Sequence, residues 1–293
     1  MNLNETPLLQ IEENVSLASH STFGIGGPAR FLIPVSDPKE AQAAIQFAKQ
    51  QGLPYFVLGK GSNSLFDDRG YPGVVIHNKI SSLQQVHETS FTVGAGYSFS
   101  LLGIQTARKG FSGLEFASGI PASVGGAVWM NAGANQRETC DSLVSVDFLH
   151  ADGELETFKV QDLDFSYRNS SFQSIEGLIL SATFKLTPSD AARVKQLAIL
   201  EKRMLTQPLS EKTAGCIFRN PNHKSTGQLI EEAGLKGTSV GGIIVSPIHA
   251  NFLVNQGEGT AKQVLELVEI IKARVYEHSG VQLQMEVRRV PYE

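Results

Sequence analysis

The segment richest in glycine reads ASGIPASVGGA over residues 117–127 and is followed by WMNAGA over residues 129–134. A second glycine loop, GKGSN at residues 59–63, follows the apolar run 55–58, which we predict to be a strand. Backbone amides approach a phosphate closely only where side chains are absent, although such loops also serve as plain tight turns. Because the chain has two of them, each with Ser or Asn donors, we predict a site for a large phosphorylated cofactor.

Neither loop matches a common nucleotide-binding motif. A P-loop needs Ser or Thr after its lysine, but Lys60 is followed by Gly61, and no glycine lies five positions before Gly59. The Gly94-Ala95-Gly96 segment is not a dinucleotide fingerprint either, because its third glycine position is Phe99. The sequence therefore excludes Walker and Rossmann nucleotide sites.

Composition indicates a folded globular chain of about two domains, because 293 residues carry 41% hydrophobic and only 18% charged side chains. The 25 Lys and Arg against 29 Asp and Glu give a net charge of −4, which excludes a basic domain of the kind that binds duplex nucleic acid and leaves open only a local basic patch. Residues 1–13 lack the pattern of a secretory signal, and no apolar run is long enough to span a membrane. We therefore expect a cytoplasmic protein with no nucleic-acid or membrane partner.

The cysteine and histidine positions argue against disulfides and metal sites. Cys140 and Cys216 lie far apart in a long chain, which is typical of reduced thiols in a reducing compartment. The seven histidines show neither i, i+4 nor Cys-paired spacing, so no metal site is predicted.

Periodicity predicts an α+β protein. Residues 37–51 predict a helix, with Asp37 as cap and Pro38 in its first turn, flanked by strands at 29–34 and 54–58. This small α/β unit is followed by short strands with turn signals, which predict an antiparallel sheet.

Further elements suggest where the chain divides. We predict a hairpin across Asp152-Gly153, a half-buried strand at 178–186, and helices at 98–109, 190–204, 225–233 and 260–278, with a last strand at 284–290. The turn-prone segment 207–210 marks a boundary. The expected domains are residues 1–206, with subdomains of about 1–80 and 81–206, and a smaller α+β domain at 207–293.

Residues 58–63 and 119–126 resemble the two pyrophosphate- and flavin-binding loops of the vanillyl-alcohol-oxidase type of FAD domain. Within that group, residues 14–290 resemble the UDP-N-acetylenolpyruvoylglucosamine reductase family, in the short form without an extra substrate-covering insertion. The other segments that carry the resemblance are TFGIGGPA (22–29), YRNSSF (167–172), AGCIFRNP (214–221), LIEEAGLKG (229–237), HANF (249–252) and MEVR (285–288).

The resemblance implies a two-part FAD domain, made of a small α/β subdomain and an antiparallel-sheet subdomain, followed by a smaller α+β substrate-binding domain. It implies non-covalent FAD, with NADPH as co-substrate, and reduction of UDP-N-acetylglucosamine enolpyruvate to UDP-N-acetylmuramate by a monomeric enzyme. This step belongs to peptidoglycan synthesis and thereby serves cell-wall biogenesis, cell shape and division. The implied cofactor-binding residues are Gly59, Lys60, Gly61, Ser62, Asn63, Ser118, Gly119, Ile120, Pro121, Ser123, Gly125, Gly126 and Gly133.

Three residues match the catalytic positions of the family. Arg168 would polarise the substrate carboxylate through its bidentate guanidinium, with a surface ion pair to Asp164 as the alternative. Glu286 would act near the same carboxylate, with a solvated strand carboxylate as the alternative. Cys216 stands where most relatives have the serine that donates a proton, and a thiol is the stronger acid, although a buried inert cysteine is the alternative.

Polar residues in the matched motifs of the last domain are the implied substrate-binding candidates, namely Arg219, Asn220, Lys236, His249 and Asn251. For His249, a structural role is the alternative. Two other functions stay open at this point. One is an FAD-linked oxidase or dehydrogenase of a small hydroxy substrate. The other is a flavin- or UDP-sugar-binding protein whose catalytic site has decayed.

Overall fold

Residues 7–221 and 224–293 are described by the structure, a computed structural model. The helices of this part are α1 (Pro38–Gln50), α2 (Phe99–Arg108), α3 (Val124–Trp129), α4 (Ala192–Thr206), α5 (Thr226–Glu232) and α6 (Ala261–Ser279). Its strands are β1 (Glu12–Ser16), β2 (Pro28–Val35), β3 (Tyr55–Leu58), β4 (Ser64–Phe66), β5 (Tyr71–Asn78), β6 (Leu83–His87), β7 (Ser90–Gly94), β8 (Phe111–Ser112), β9 (Gly133–Ala134), β10 (Arg137–Glu138), β11 (Leu143–His150), β12 (Leu155–Lys159), β13 (Phe165–Ser166), β14 (Asn169–Ser170), β15 (Gly177–Lys185), β16 (Thr187–Pro188), β17 (Ser239–Val240), β18 (Ile243–Val245), β19 (Leu253–Asn255) and β20 (Arg288–Val290).

These elements form two compact units. Unit 1 comprises residues 7–13, Phe31–Lys60 and Gly73–Lys202, and unit 2 comprises Asn14–Arg30, Gly61–Pro72 and Arg203–Glu293. The amino-terminal residues 1–6, which belong to the segment used in the signal-peptide prediction, lie outside the described residues.

The small α/β part of unit 1 is built around α1. The Asp37 carboxylate accepts the N–H groups of Lys39 and Glu40 at 2.8 and 2.9 Å, and Pro38 occupies the first turn, which confirms the predicted start of the helix. The helix buries its apolar stripe in a cluster with strand residues, including Ala41, Ala44, Ile45, Ala48, Ile33, Val35, Val74 and Ile76. The predicted strand, helix, strand order is confirmed, with β3 parallel to β5.

The larger part of unit 1 is an antiparallel sheet in the order β12-β11-β15-β7-β6. The predicted hairpin is confirmed by the pairing of β11 with β12, and Gly153 at its turn has φ +97°. The predicted half-buried strand is confirmed as β15, whose side chains alternate between buried and partly exposed along most of its length. Helices α2 and α3 contribute Phe99, Leu102, Val124 and Val128 to the core over this sheet.

Unit 2 has its own core, to which α6 contributes most. Thr260 and Gln263 form a capping box at the start of α6, and Gly280 ends it at φ +69°, as expected for a left-handed cap. Around the helix lie the antiparallel sheet β17-β18-β19, helix α5 and the parallel pair β4 and β20. The predicted last strand is shorter than expected, because only Arg288–Val290 pairs as a strand.

The division of the chain differs from the contiguous domains expected from the sequence. The end of unit 1 at Lys202 lies close to the predicted boundary, but two earlier segments, Asn14–Arg30 and Gly61–Pro72, belong to unit 2. Their apolar residues Phe23, Ile25 and Leu65 pack in the core formed by residues 214–287. Such contacts join residues about 200 positions apart along the chain, so local periodicity does not report them.

Candidate functional site

Unit 1 brings the first part of one glycine loop against the other. A Cβ atom on Gly59 would lie 2.2 Å from the Oγ of Ser123, far closer than real Cβ contacts. The same Oγ accepts the N–H of Gly126 at 3.2 Å and thereby caps α3. Only glycine at position 59 permits this approach without moving Ser123, so the start of the loop at 59–63 lies against the loop at 117–127 within unit 1.

Ser118 is the residue of this loop whose side chain best fits a bound cofactor. Its side chain is fully buried, and its Oγ has no hydrogen-bond partner among residues 7–221 and 224–293. A buried hydroxyl left without a partner costs about 1–3 kcal/mol, so native proteins normally satisfy it. Next to it, Gly119 has φ +84° and donates its N–H to the Oγ of Ser100 at 2.8 Å. A buried donor beside closely packed glycines fits a cofactor with phosphate or carbonyl acceptors, such as FAD.

The other predicted cofactor residues divide between the two units. Gly125 donates its N–H to the carbonyl of Ala95 at 2.8 Å, and Ile120 to that of Ala117 at 2.9 Å, so part of the loop backbone is fixed internally. In unit 1, Lys60 and Pro121 are exposed and Gly133 is half-buried. The other three residues of the second glycine loop belong to unit 2, namely Gly61, Ser62 and Asn63.

Arg168 is held in an unusual backbone conformation in unit 1. It has φ +58°, in the left-handed region that a non-glycine residue adopts only when its surroundings require it. Gln173 donates from Nε2 to the carbonyl of Arg168 at 3.2 Å and to that of Trp129 at 3.0 Å. The guanidinium donates to the carbonyl of Gly133 at 3.1 Å and lies 4.8 Å from the centre of the Tyr167 ring. The structure thus joins Arg168 to the predicted cofactor residue Gly133.

In unit 2, Cys216 and Glu286 lie on neighbouring extended segments. The N–H of Glu286 donates to the carbonyl of Ile217 at 2.8 Å, and Phe218 pairs with Met285 in an isolated antiparallel bridge. The Nδ2 of Asn63 donates to the carbonyl of Glu286 at 3.3 Å. Three predicted site residues, from the second glycine loop, the AGCIFRNP motif and the MEVR motif, therefore belong to one hydrogen-bonded layer.

Arg203, which is not among the residues predicted from the sequence, lies near the end of α4 in unit 2. Burial lowers the pKa of its guanidinium, and the negative charge of an ionised Cys216 thiol acts in the opposite direction. In the sequence, Arg203 is one charged residue of an amphipathic helix and carries no motif that would have marked it.

The predicted substrate-binding residues are engaged in unit 2 in different ways. Lys236 forms an ion pair with Glu231 at 2.7 Å, and the Oδ1 of Asn220 accepts the N–H of Thr226 at 3.0 Å. The N–H of Arg219 donates to the carbonyl of Gln284 at 2.9 Å. These contacts hold loops and the start of α5, and direct contact of the three side chains with a substrate stays a prediction.

His249 and Asn251 form a connected pair. The Nδ1 of His249 accepts the N–H of Asn251 at 3.2 Å, and the His249 ring contacts the Phe252 ring edge-to-face with centres 4.8 Å apart. Burial lowers the pKa of His249, and the nearby Lys236 charge lowers it further. A neutral imidazole with Nδ1 as acceptor carries its proton on Nε2.

Two expected absences can be compared with the structure within residues 7–221 and 224–293. In those ranges, His, Cys, Asp and Glu side chains do not cluster in groups of three that could hold a metal ion. None of the helices there is both long and apolar enough to cross a membrane.

The second cysteine, Cys140, is half-buried, and burial raises the pKa of its thiol.

Comparison with known proteins bears on both parts of the chain. Residues 207–290 match the family model of the UDP-N-acetylenolpyruvoylglucosamine reductase C-terminal domain, and residues 28–159 match a model of an FAD binding domain. UDP-N-acetylenolpyruvoylglucosamine reductase of Protochlamydia amoebophila is 54% identical over 97% of this chain and 95% of its own length. The protein of the same name from Chlamydia felis is 44% identical over 96% and 95%.

A solved structure agrees with these matches. The crystal structure of UDP-N-acetylenolpyruvylglucosamine reductase from Thermus caldophilus superposes with a TM-score of 0.82 at 38% identity, covering 97% of this chain and 100% of that one. The α+β fold with an FAD-binding part and a smaller carboxyl-terminal part, expected from the sequence, is confirmed. The chain therefore belongs to the UDP-N-acetylenolpyruvoylglucosamine reductase family of FAD-binding oxidoreductases.

Proposed function

We propose that this chain reduces the enolpyruvyl double bond of UDP-N-acetylglucosamine enolpyruvate, giving UDP-N-acetylmuramate for peptidoglycan synthesis. One NADPH is oxidised to NADP⁺ for each product, and the double bond gains a hydride at its β carbon and a proton at its α carbon. Family membership supports the substrate class. The observation that supports the chemistry is the hydrogen bond in unit 2 that links the segment after Cys216 to Glu286 through Ile217.

FAD, when bound, supplies a two-electron carrier between the nicotinamide and the sugar. The residues that fit it are the buried Ser118 hydroxyl and the glycines of the two loops that meet where Gly59 packs on Ser123. Ser118 would donate to an acceptor atom of the cofactor, and the glycines would let its phosphates approach the backbone. The flavin would be bound non-covalently.

Hydride addition to the β carbon leaves negative charge on the α carbon and on the adjacent carboxylate. Arg168 would bind that carboxylate through its guanidinium, which Gly133 and the left-handed backbone hold in place. Cys216 would donate its thiol proton to the α carbon. Glu286 would act near the substrate carboxylate, either in protonated form or bound in a network with Arg168, because two free carboxylates would repel one another.

The proposal is tested by identifying the product. Protein reconstituted with FAD is incubated with NADPH and the enolpyruvyl sugar, and the product is analysed by mass spectrometry and by its retention time against authentic UDP-N-acetylmuramate. We expect a product with two additional hydrogen atoms, formed in equal amount to the NADPH consumed. UDP-N-acetylglucosamine, which lacks the enolpyruvyl group, serves as the matched control and should give no turnover.

Two outcomes would contradict this proposal and support the functions left open by the sequence. Oxygen-dependent turnover of a small hydroxy substrate, with none of the sugar, would indicate an FAD-linked oxidase. Binding of FAD and of the sugar without turnover would indicate a binding protein. As the resemblance implies, we also propose that the enzyme is a cytoplasmic monomer, which light scattering and cell fractionation would test.

A further inference from the structure

Asn251 is bound to the segment that carries Cys216 by three hydrogen bonds within unit 2. Its Nδ2 donates to the carbonyl of Phe218 at 2.8 Å, and its Oδ1 accepts the N–H of the same residue at 3.0 Å. Its own carbonyl accepts the N–H of Ile217 at 2.8 Å. Asn251 is only 2% exposed, so water cannot take the place of the two hydrogen bonds that its side-chain amide makes.

The segment 216–218 depends on such contacts because it is not part of a regular sheet. Cys216 pairs with Phe252, and Phe218 with Met285, only through isolated bridges. Immediately before the cysteine, Gly215 has φ +80°, which turns the chain sharply. The side-chain amide of Asn251 offers one donor and one acceptor to the backbone of Phe218, as a neighbouring strand would. It thereby takes the place of regular strand pairing at Phe218.

Asn251 is itself fixed by the loop that precedes it. Its N–H donates to the Nδ1 of His249, and the Oγ of Ser246 accepts the N–H groups of Ile248 and His249 at 3.2 and 3.3 Å. This loop is thus ordered by its own hydrogen bonds, and Asn251 presents a preset amide to the segment after Cys216. The backbone carbonyl of Asn251 accepts the N–H of Ile217, and the carbonyl of Ile217 accepts the N–H of Glu286, so the backbone of Asn251 also supports the Glu286 segment.

We infer that Asn251 is a positioning residue for the Cys216 thiol, acting through the backbone of residues 217–218, and not the direct substrate contact predicted from the sequence. This inference rests on the proposed role of Cys216 as proton donor. Small displacements of a reacting group are costly, since about 1 Å of misplacement reduces a rate by on the order of 100-fold.

The first test uses Asn251→Asp, which keeps the side-chain volume but cannot donate to the Phe218 carbonyl. Asn251→Ser, which is uncharged, is the second variant in case the carboxylate prevents folding. The matched control is Asn255→Ala, because Asn255 is also buried in unit 2 and its amide holds backbone groups of Phe23 and Gly257 instead. Thermal unfolding shows whether the three variants lose comparable stability.

Stopped-flow absorbance then separates the two half-reactions of the FAD-loaded enzyme. In the Asn251 variants we expect flavin reduction by NADPH to stay within about twofold of the wild type, while reoxidation at saturating sugar slows by on the order of 10- to 100-fold with little change in sugar Kd. A direct substrate contact would instead weaken the Kd and leave the saturated rate intact, which would overturn the inference. Equal slowing in Asn255→Ala would also overturn it, because the effect would then be general destabilisation.

Alkylation of Cys216 provides a readout that needs no turnover. In a Cys140→Ala background without substrate, the rate of reaction with iodoacetamide should change several-fold in the Asn251 variants and stay unchanged in Asn255→Ala. An unchanged rate in the Asn251 variants would contradict the positioning role. The variant Cys216→Ala keeps the two claims apart: if it reoxidises as fast as the wild type, the proton-donor proposal fails, while the alkylation comparison still decides whether Asn251 places the thiol.

Discussion

The contact between Gly59 and Ser123 makes a sharp prediction for the variant Gly59→Ala. The added Cβ would lie 2.2 Å from the Ser123 Oγ and 3.2 Å from its Cβ, whereas real Cβ contacts are essentially never shorter than 3.0 Å. The hydroxyl must therefore move by about 0.8 Å or rotate away. Either movement weakens its hydrogen bond with the N–H of Gly126, which caps α3.

Loss of such a cap costs about 0.5–2 kcal/mol. For a unit of 150–250 residues this corresponds to a fall in Tm of about 2–4 °C for each kcal/mol. Because the displaced loop is the proposed FAD cradle, Gly59→Ala should also weaken FAD binding several-fold. Differential scanning fluorimetry measures the Tm, and quenching of FAD fluorescence on titration measures the Kd.

The double variant Gly59→Ala/Ser123→Ala isolates the cause. Ser123→Ala alone removes the cap, so it should itself cost about 0.5–2 kcal/mol. Once the Oγ is gone, the nearest remaining side-chain atom is the Cβ of residue 123 at 3.2 Å, and adding Gly59→Ala should cost little more. Two results would refute this explanation. One is a double variant whose loss of stability equals the sum of the losses in the two single variants. The other is a Gly59→Ala variant that is as stable as the wild type and binds FAD as tightly.

Three other predictions follow from the site and its surroundings. In Cys216→Ala, the rate of flavin reduction by NADPH should stay within about twofold of the wild type, while reoxidation by the sugar should slow by on the order of 100- to 10,000-fold, and Cys216→Ser should restore part of the lost rate. Stopped-flow absorbance measures both rates, and an equal loss in the two half-reactions would contradict the role of Cys216 as proton donor. Gln173→Leu removes the hydrogen bond that supports the left-handed backbone of Arg168, so the KM for the sugar should rise several-fold, and steady-state kinetics showing an unchanged KM would contradict that support. Hydrogen bonding to Arg69 lowers the pKa of Asp67 to about 2. A carboxyl group whose pKa is lower in the folded state stabilises the fold at pH values above its ordinary pKa, and this stabilisation is lost as the pH falls toward 2. Because the Arg69 side chain is 57% exposed, Asp67→Asn should destabilise the protein by less than about 1 kcal/mol at pH 7 and by less still at pH 3. Urea unfolding that shows the larger loss of stability at pH 3 would contradict this prediction.

The elements that could be predicted from the sequence are those fixed by neighbouring residues. Helix α1 is marked by its Asp37 cap and by Pro38, and α6 by its apolar stripe and Gly280, so caps and periodicity were sufficient. The two glycine loops were identified because their composition is unusual over a short span. Their motifs carried the resemblance that the comparisons confirmed.

The features that could not be predicted depend on contacts between distant parts of the chain. Strand β4 is only three residues long and pairs with β20, more than 220 positions later, so no local pattern marks it. Arg203 interacts electrostatically with Cys216 only in the folded protein, because the two residues are 13 positions apart and share no sequence motif. Asn251 was identified as part of a motif, but its pairing with Phe218 is a tertiary contact that changes what the residue is expected to do.

The most direct test of the proposed reaction is an anaerobic absorbance titration of the FAD-loaded protein. NADPH is added first, and UDP-N-acetylglucosamine enolpyruvate follows once the spectrum is stable. The proposal predicts that the flavin bands bleach with NADPH, persist in the bleached form when UDP-N-acetylglucosamine is added instead, and return with one equivalent of the enolpyruvyl sugar. Flavin that NADPH does not bleach, or that the enolpyruvyl sugar does not reoxidise, would contradict it.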